Sequence, residues 1–219
     1  MKTMKWLLRR EFWEHKGAMF WAPVVVASLM FVSIVGTLSY GLAKHGIRSK
    51  FNGQYIEGLP AEARSEIANI LAGGYLMTSA PLFIMLGIVA FWYCLGALYD
   101  ERKDRSVLFW KSLPLSDRET VLSKVASATV VAPVIASIVA LLTMFGFLLL
   151  SSLLVLAHGG NPVQLLWGPG SPLSIAAQFI AAIPVYALWS LPTVGWLLLC
   201  SAWARSKPFL WAIMIPVFA

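Results

Sequence analysis

The stretch that decides the fold is VASATVVAPVIASIVALLTMFGFLLLSSLLVLA, residues 125–157, which contains no Asp, Glu, Lys or Arg. The hydrocarbon core of a bilayer is about 30 Å thick, and a helix that crosses it needs roughly 20 apolar residues. Just ahead of this stretch, Ser116 and Glu119 have the spacing of a helix-capping box, and Pro114 supports a helix start there. The pattern therefore predicts a membrane span at 119–157.

Three further uncharged stretches on either side of it are long enough to cross a membrane, at 17–43, 73–99 and 173–204. Pro184 and Pro192 interrupt the last of these, but membrane helices tolerate proline as a kink. The whole chain is 59% hydrophobic and 12% charged, which is too apolar for a water-facing surface. We therefore expect an all-α integral membrane protein in which the bilayer is the main solvent.

A fifth apolar helix is predicted to begin at Pro208, which suits the first turn of a helix. From there to residue 219 a helix would be about 18 Å long, at a rise of 1.5 Å per residue. This is shorter than the hydrocarbon core. We therefore expect about five transmembrane helices, the last one incomplete.

The distribution of basic residues predicts the orientation of the spans, because Lys and Arg accumulate in cytoplasmic connections. Thirteen of the 17 would lie on one side: Lys2, Lys5, Arg9, Arg10, Lys16, Arg102, Lys103, Arg105, Lys111, Arg118, Lys124, Arg205 and Lys207. The other side would hold Lys44, Arg48, Lys50 and Arg64. This places the N-terminus and the 100–118 loop in the cytoplasm, and the 44–72 and 158–172 loops outside. Within 44–72, a short amphipathic helix is predicted at 61–71.

The opening segment, residues 1–16, predicts an amphipathic helix at the cytoplasmic membrane surface. Its apolar residues recur at i, i+4 and i+8, at Met4, Leu8 and Phe12, while its basic residues gather on another side, at Lys2, Lys5, Arg9 and Lys16. Trp6 and Trp13 suit the headgroup region, so we expect the helix to lie flat and lead into the first span. The alternative is an ordinary water-facing helix.

Few residues in this sequence are candidates for catalysis or metal binding. The three histidines fall in three separate segments, at His15, His45 and His158, and no acidic residue lies inside the uncharged stretches of the predicted spans. Intramembrane proteases, proton relays and ion-coupled carriers usually carry such groups at depth, so these classes are disfavoured. Cys94 and Cys200 lie near span ends without a metal-binding pattern, and we interpret them as packing residues.

Nucleotide hydrolysis by this chain is also disfavoured. Gly41 and Gly46 have the spacing of a phosphate-binding loop, but Ile47 and Arg48 stand where Lys and Ser or Thr are needed to reach the phosphates and Mg²⁺. The segment also follows a predicted membrane helix instead of a strand. We expect no catalytic, cofactor-binding or metal-binding residues in the chain. The net charge of +7 is assigned to membrane orientation, not to nucleic-acid binding.

Three tryptophans recur every seven residues in the fourth span, at Trp189, Trp196 and Trp203. They would fall on one side of that helix. Lipid contact or helix packing explains such a stripe, with the last Trp at the cytoplasmic interface. The alternative is an aromatic wall of a pathway for an amphipathic substrate.

The central loop reads LYDERKDRSVLFWKSLPLS, residues 98–116. It resembles the loop after the second membrane helix in permeases of the type-two ABC exporter class. Those proteins show an acidic residue, a charged segment, a short helix, a Pro-x-Ser turn and then a Lys in the third helix. The matching residues are Glu101, Arg105, Pro114, Ser116 and Lys124. The opening LLRREFWE, residues 7–14, is similar to the N-terminal interfacial helix of that family.

The resemblance implies six spans, of which this sequence reaches only part of the fifth. It further implies a multi-pass protein of the plasma (inner) membrane, paired as a dimer with a second permease copy and served by ABC ATPase subunits that bind ATP and Mg. The residues that would dock the ATPase are Glu101, Arg102, Lys103, Arg105, Val107, Phe109, Trp110 and Leu113. The alternative for this loop is a solvated charge cluster with a short helix on the lipid headgroups.

Two other functions compete with a permease subunit of an ATP-driven exporter. One is a non-transporting membrane scaffold or sensor subunit. The other is a membrane enzyme that acts on a lipid substrate. Co-purification of an ABC ATPase would distinguish the permease from both.

The predicted orientation is tested by labelling single introduced cysteines in intact cells with an impermeant thiol reagent. Cysteines placed in 44–72 should react, because this loop is predicted to be external, whereas those in 100–118 should be protected. The reverse pattern would overturn the orientation and the placement of the central loop in the cytoplasm.

Overall fold

The structure, a computed structural model, describes residues 2–45, 60–106, 116–157, 161–168 and 172–218. These residues are helical almost throughout, and no strand occurs among them. The α-helices are α1 (Lys2–Glu14), α2 (Ala22–His45), α3 (Ala61–Ala97), α4 (Tyr99–Lys103), α5 (Asp117–Ala126), α6 (Ala132–Ala157), α7 (Pro172–Trp203) and α8 (Pro208–Phe218). The predicted all-α class is confirmed.

Four helical stretches of the described chain are long and apolar enough to cross a membrane: Gly17–Thr37, Gly73–Lys103, Asp117–Ala157 and Pro172–Trp203. They coincide with the four long spans predicted from the sequence. The apolar helix α8 is shorter than these four. By length and composition, the fold is therefore compatible with a multi-pass membrane protein.

The helix boundary predicted ahead of the second span differs from the one in the structure. The short helix predicted at 61–71 is continuous with the span, because α3 runs unbroken from Ala61 to Ala97. The glycines at positions 73 and 74 cost helix stability but leave the hydrogen-bonding groups in place, and extending an existing helix is easier than starting a new one. At the other end of the predicted 44–72 loop, α2 continues to His45, and residues 46–59 lie outside the described residues.

The start of the third span follows the predicted capping chemistry. Ser116 Oγ accepts a hydrogen bond from the Glu119 backbone N–H at 3.2 Å, and Glu119 Oε2 accepts one from the Ser116 N–H at 3.4 Å. The capping box is therefore confirmed, and it fixes the first turn of α5. A π-helical turn at Ser127–Val131 then joins α5 to α6.

The chain divides into two compact units. The first consists of Met1–Ala22, Ile84–Ala136 and Ala182–Ala219, and the second of Pro23–Phe83 and Ser137–Ala181. In the second unit, Tyr75, Met144 and Phe179 belong to one buried apolar cluster. The Tyr75 hydroxyl also donates a hydrogen bond to the Leu166 carbonyl at 3.2 Å.

The first unit has its own apolar core, which includes Met19, Tyr93, Cys94, Leu198 and Cys200. Both cysteines are free and buried, so their interpretation as packing residues is confirmed. Cysteine behaves as a small hydrophobic residue in such surroundings. The candidate site described below lies entirely in this unit.

Ser201, which is fully buried near the end of α7, holds the break between α3 and α4. Its hydroxyl accepts hydrogen bonds from the backbone N–H groups of Leu98 and Tyr99, at 3.1 and 3.0 Å, and donates one to the Leu95 carbonyl at 2.7 Å. One side chain therefore bonds three backbone groups at the break, where such groups need partners.

Replacing Ser201 with Ala should lower the free energy of unfolding by about 1–3 kcal/mol, because buried N–H groups would lose their acceptor. Unfolding of the detergent-solubilised chain by SDS titration measures the change. Ser190→Ala on the same helix is the matched control, since Ser190 Oγ donates only to the local Ala187 carbonyl. Equal effects of the two substitutions would contradict the role of Ser201 at the break.

Candidate functional site

The N-terminal helix α1 buries a carboxylate. Leu7 and Glu11 are spaced i, i+4 on the face that is buried, and the Glu11 side chain is only 1% exposed. This face packs against α5 and the π-helical turn that follows it. A buried carboxylate is costly unless it is paired and hydrogen-bonded, so its partners determine how α1 is held.

The main partner of Glu11 is Lys124 of α5, whose side chain is also 1% exposed. Its Nζ donates hydrogen bonds to Glu11 Oε1 at 2.9 Å and to Glu101 Oε1 at 3.0 Å. Glu101 belongs to α4 and is 11% exposed. The ammonium group therefore joins α1, α4 and α5, of which α1 is far from the other two in the sequence.

Arg10 completes the charge balance of this group. Its Nη2 donates to Glu101 Oε1 at 2.7 Å and lies 3.5 Å from Glu11 Oε1. Its Nε donates to Glu14 Oε2 at 3.4 Å on the exposed side. Arg10, Glu11, Glu101 and Lys124, called the ion cluster below, thus contain two cations and two carboxylates, whose formal charges cancel.

The second oxygen of Glu11 is also engaged. The Tyr93 hydroxyl donates a hydrogen bond to Glu11 Oε2 at 2.8 Å. The His15 ring packs edge-on against the Tyr93 ring with centroids 4.7 Å apart, and His15 Nδ1 lies 3.3 Å from the Glu11 carbonyl oxygen. The ion cluster is therefore anchored in the apolar core through Tyr93, and His15 contributes packing next to it.

Arg102 joins the end of α7 to this region. Its Nη2 donates to the backbone carbonyls of Ser201 and Ala204, at 2.7 and 2.8 Å. The last carbonyls of a helix have no partner inside the helix, and a cation near them is favourable. Arg102 therefore acts as a side-chain cap for α7 and fixes α4 against it.

The ion cluster lies at the base of the central loop. Glu101 stands five residues before Ser106, and Lys124 lies in the helix that Ser116 caps. Between these positions, Arg105 has a φ of 57°, in the left-handed region, which turns the chain out of α4. Both ends of the loop are thus fixed by side-chain contacts.

The predicted ATPase-docking residues fall into three groups. Glu101 is half-buried and accepts hydrogen bonds from Lys124 and Arg10, and Arg102 is exposed with its guanidinium bonded to carbonyls at the end of α7. Lys103 and Arg105 are exposed. The apolar members of the set, Val107, Phe109, Trp110 and Leu113, lie outside the described residues.

The tryptophans of the fourth span lie in three different environments. Trp196 is half-buried, and its Nε1 donates to the Ala212 carbonyl of α8 at 3.1 Å. Trp203 is exposed and packs edge-on against Trp211, with centroids 5.4 Å apart. Trp189 is exposed and lines a groove of about 310 Å³ together with Gly87, Phe91, Tyr186, Ser190 and Thr193. Helix packing therefore explains Trp196, whereas lipid contact and contact with a substrate both stay open for Trp189.

Glu11, Tyr93 and Ser201 were not predicted from the sequence to shape this region. Glu11 appeared only within the opening segment 7–14, although its position four residues after Leu7 could have indicated the buried face. Lys124 appeared only among the basic residues and in the family resemblance. In the described residues, no group of three or more His, Cys, Asp or Glu side chains could hold a metal ion.

No family model, curated protein or solved structure gives a match to this chain. Its function is therefore inferred from its own residues and their geometry.

Replacing Lys124 with Met should destabilise the protein by about 3–5 kcal/mol, because two buried carboxylates would lose their shared cation. SDS titration of the detergent-solubilised chain gives the change in the free energy of unfolding. Adding Glu11→Gln and Glu101→Gln to Lys124→Met should restore part of the loss, since no buried carboxylate is then left uncompensated.

The control is Lys103→Met, which removes an exposed lysine at the end of α4 and should change stability by less than about 0.5 kcal/mol. If Lys124→Met and Lys103→Met have similar effects, or if the triple variant is less stable than Lys124→Met alone, the ion cluster does not hold the three helices together.

Proposed function

We propose that this chain is the membrane-spanning permease subunit of an ATP-driven ABC exporter and moves substrate with a separate ATPase subunit. The observation that supports this most directly is the contact of Lys124 with both Glu11 and Glu101 at the base of the central loop. The four apolar helices long enough to cross a membrane are compatible with such a role. The choice of this family rests on the resemblance of residues 98–116 to the exporter permeases.

The ion cluster suggests how a push on the loop would reach the membrane. The loop begins after α4 and ends at α5, and the cluster joins both helices to α1. α5 belongs to the candidate span Asp117–Ala157, and α4 to Gly73–Lys103. Separating buried charges costs several kcal/mol, so these segments should move together when a partner displaces the loop.

The contact of Arg102 extends the same connection to a third candidate span. Its bonds to the carbonyls of Ser201 and Ala204 join α4 to the end of α7. A displacement of α4 would thus also act on Pro172–Trp203. In this proposal the partner binds ATP and Mg and supplies the energy, and this chain converts movement of its loop into movement of its spans.

The proposal includes a plasma (inner) membrane location, a cytoplasmic N-terminus and a second permease copy, as the resemblance implies. The apolar residues of the loop would be the main ATPase contacts. Burying a Phe or Trp in the cleft of a partner contributes a few kcal/mol, whereas an exposed ion pair contributes a few tenths.

Replacing Phe109 or Trp110 with Asp should abolish capture of the proposed ABC ATPase partner and should stop ATP-dependent transport. The permease variants should still be expressed, inserted and folded. Affinity capture from co-expressing membranes and transport into inverted vesicles measure the two effects. Ser112→Asp is the matched control, because it adds the same charge to the same loop without removing an aromatic side chain, and it should reduce capture much less.

Two results would contradict the proposal. If both substitutions leave ATPase capture intact but loosen the loop from the lipid, the loop is a headgroup-binding helix. If the ATPase is captured but no variant or condition links hydrolysis to transport, a scaffold or sensor subunit is the better interpretation.

A further inference from the structure

The exposed side of α1 carries a set of residues distinct from the ion cluster. An α-helix turns about 100° per residue, so an arc of roughly 100° facing away from Glu11 includes Lys5, Trp6, Arg9 and Trp13 of α1 and the half-buried Lys16 just beyond its end. These five residues are called the outer stripe below. Trp6 and Trp13 are 66% and 58% exposed, so large apolar side chains lie open on this face.

Cations and aromatic rings are paired along the outer stripe. The Arg9 guanidinium carbon lies 5.6 Å from the centre of the Trp6 ring, and Lys16 Nζ lies 4.9 Å from the centre of the Trp13 ring. Such pairs hold a cation beside an apolar surface and leave its other sides open to an anion. The stripe therefore presents two similar combinations of positive charge and indole.

The charges of the outer stripe differ from those of the ion cluster in their partners. Arg10 and Lys124 are both paired with carboxylates. In the part of the chain that the structure describes, Lys5, Arg9 and Lys16 form no salt bridge with a carboxylate. Three cations on one arc, two of them exposed and Lys16 half-buried, with no carboxylate on that arc, make a surface complementary to negative charge.

We propose that the outer stripe is a binding site for the headgroup phosphates of anionic phospholipids. α1 leads through Lys16 directly into the candidate span Gly17–Thr37, which begins with a π-helical turn, so the stripe extends over about three helical turns from the start of an apolar segment. Indole rings favour the boundary between headgroups and hydrocarbon, and neighbouring lysines and arginines attract anionic lipids. Together these properties favour a lipid surface over a nucleic acid or an acidic protein.

The site would also set the position of the ion cluster relative to the bilayer. Glu11 lies on the side of α1 opposite the outer stripe and is fixed to Lys124. A lipid bound to the stripe would therefore hold the base of the central loop near the membrane surface. This inference is independent of the proposed transport function, because it needs only α1 and its span.

The experiment compares spin-labelled phosphatidylglycerol with spin-labelled phosphatidylcholine on the full chain, reconstituted in phosphatidylcholine bilayers. Electron paramagnetic resonance measures the fraction of each lipid that the protein immobilises. Near an anionic surface each Lys or Arg can contribute roughly a fivefold preference. The wild-type chain should prefer phosphatidylglycerol, and the variant Lys5→Gln/Arg9→Gln/Lys16→Gln should lose at least about threefold of that preference.

The matched control is Lys103→Gln/Arg118→Gln/Arg205→Gln, which removes three exposed cations from other segments of the same unit and should retain most of the preference. Raising the salt concentration to about 0.5 M should bring the wild-type preference down to that of the stripe variant, because exposed charges are screened. This second arm does not depend on the folding of any variant.

Three results would overturn the proposal. The first is an unchanged preference in the stripe variant, and the second is an equal loss in the control variant. The third is displacement of the labelled lipid by millimolar glycerol phosphate, which would assign the stripe to a soluble phosphate compound. Trp6→Ala/Trp13→Ala should weaken immobilisation of the anionic lipid as well, and no effect would contradict the role given to the indole rings.

Discussion

The first compact unit depends on one buried ammonium group placed between two carboxylates. Lys124 and Glu11 are almost completely removed from solvent, and each charge would be costly without the other. Together with the bond from Lys124 to Glu101, their contact holds α1, α4 and α5 in fixed positions relative to one another. It also fixes the rotation of α1, because turning Glu11 away from Lys124 would leave two buried charges unpaired. The same rotation directs the outer stripe to the opposite side.

This arrangement fixes the helices that flank the central loop through side chains whose polar atoms are already bonded. Tyr93, Arg10 and Lys124 together occupy both oxygens of the Glu11 carboxylate, and Arg102 is used by the carbonyls at the end of α7. Because these side chains already use their hydrogen-bonding groups, the ion cluster is better suited to transmitting movement between helices than to binding or converting a substrate. A permease that receives work from a partner would need a joint of this kind.

Much of the fold could be predicted because its causes are local. Apolar length identifies a membrane-competent helix, and the Ser116–Glu119 box identifies a helix start, from residues that are neighbours in sequence. The ion cluster could not be predicted in this way, since Lys124 and Glu11 are 113 residues apart. The periodicity of α1 indicated an amphipathic helix, but it could not show that a carboxylate lies on the buried face. The predicted boundary between a short helix at 61–71 and the span from 73 was wrong, because α3 is continuous there.

Amide hydrogen exchange in a Glu11→Gln variant tests most directly whether the ion cluster joins the three helices. The substitution keeps the shape of the side chain and removes its charge. Exchange should become faster in α4 and in α5 as well as in α1, while Glu14→Gln, which affects only the exposed side of Arg10, should leave all three unchanged. Faster exchange confined to α1 would contradict the claim, because α4 and α5 would then be held independently of Glu11.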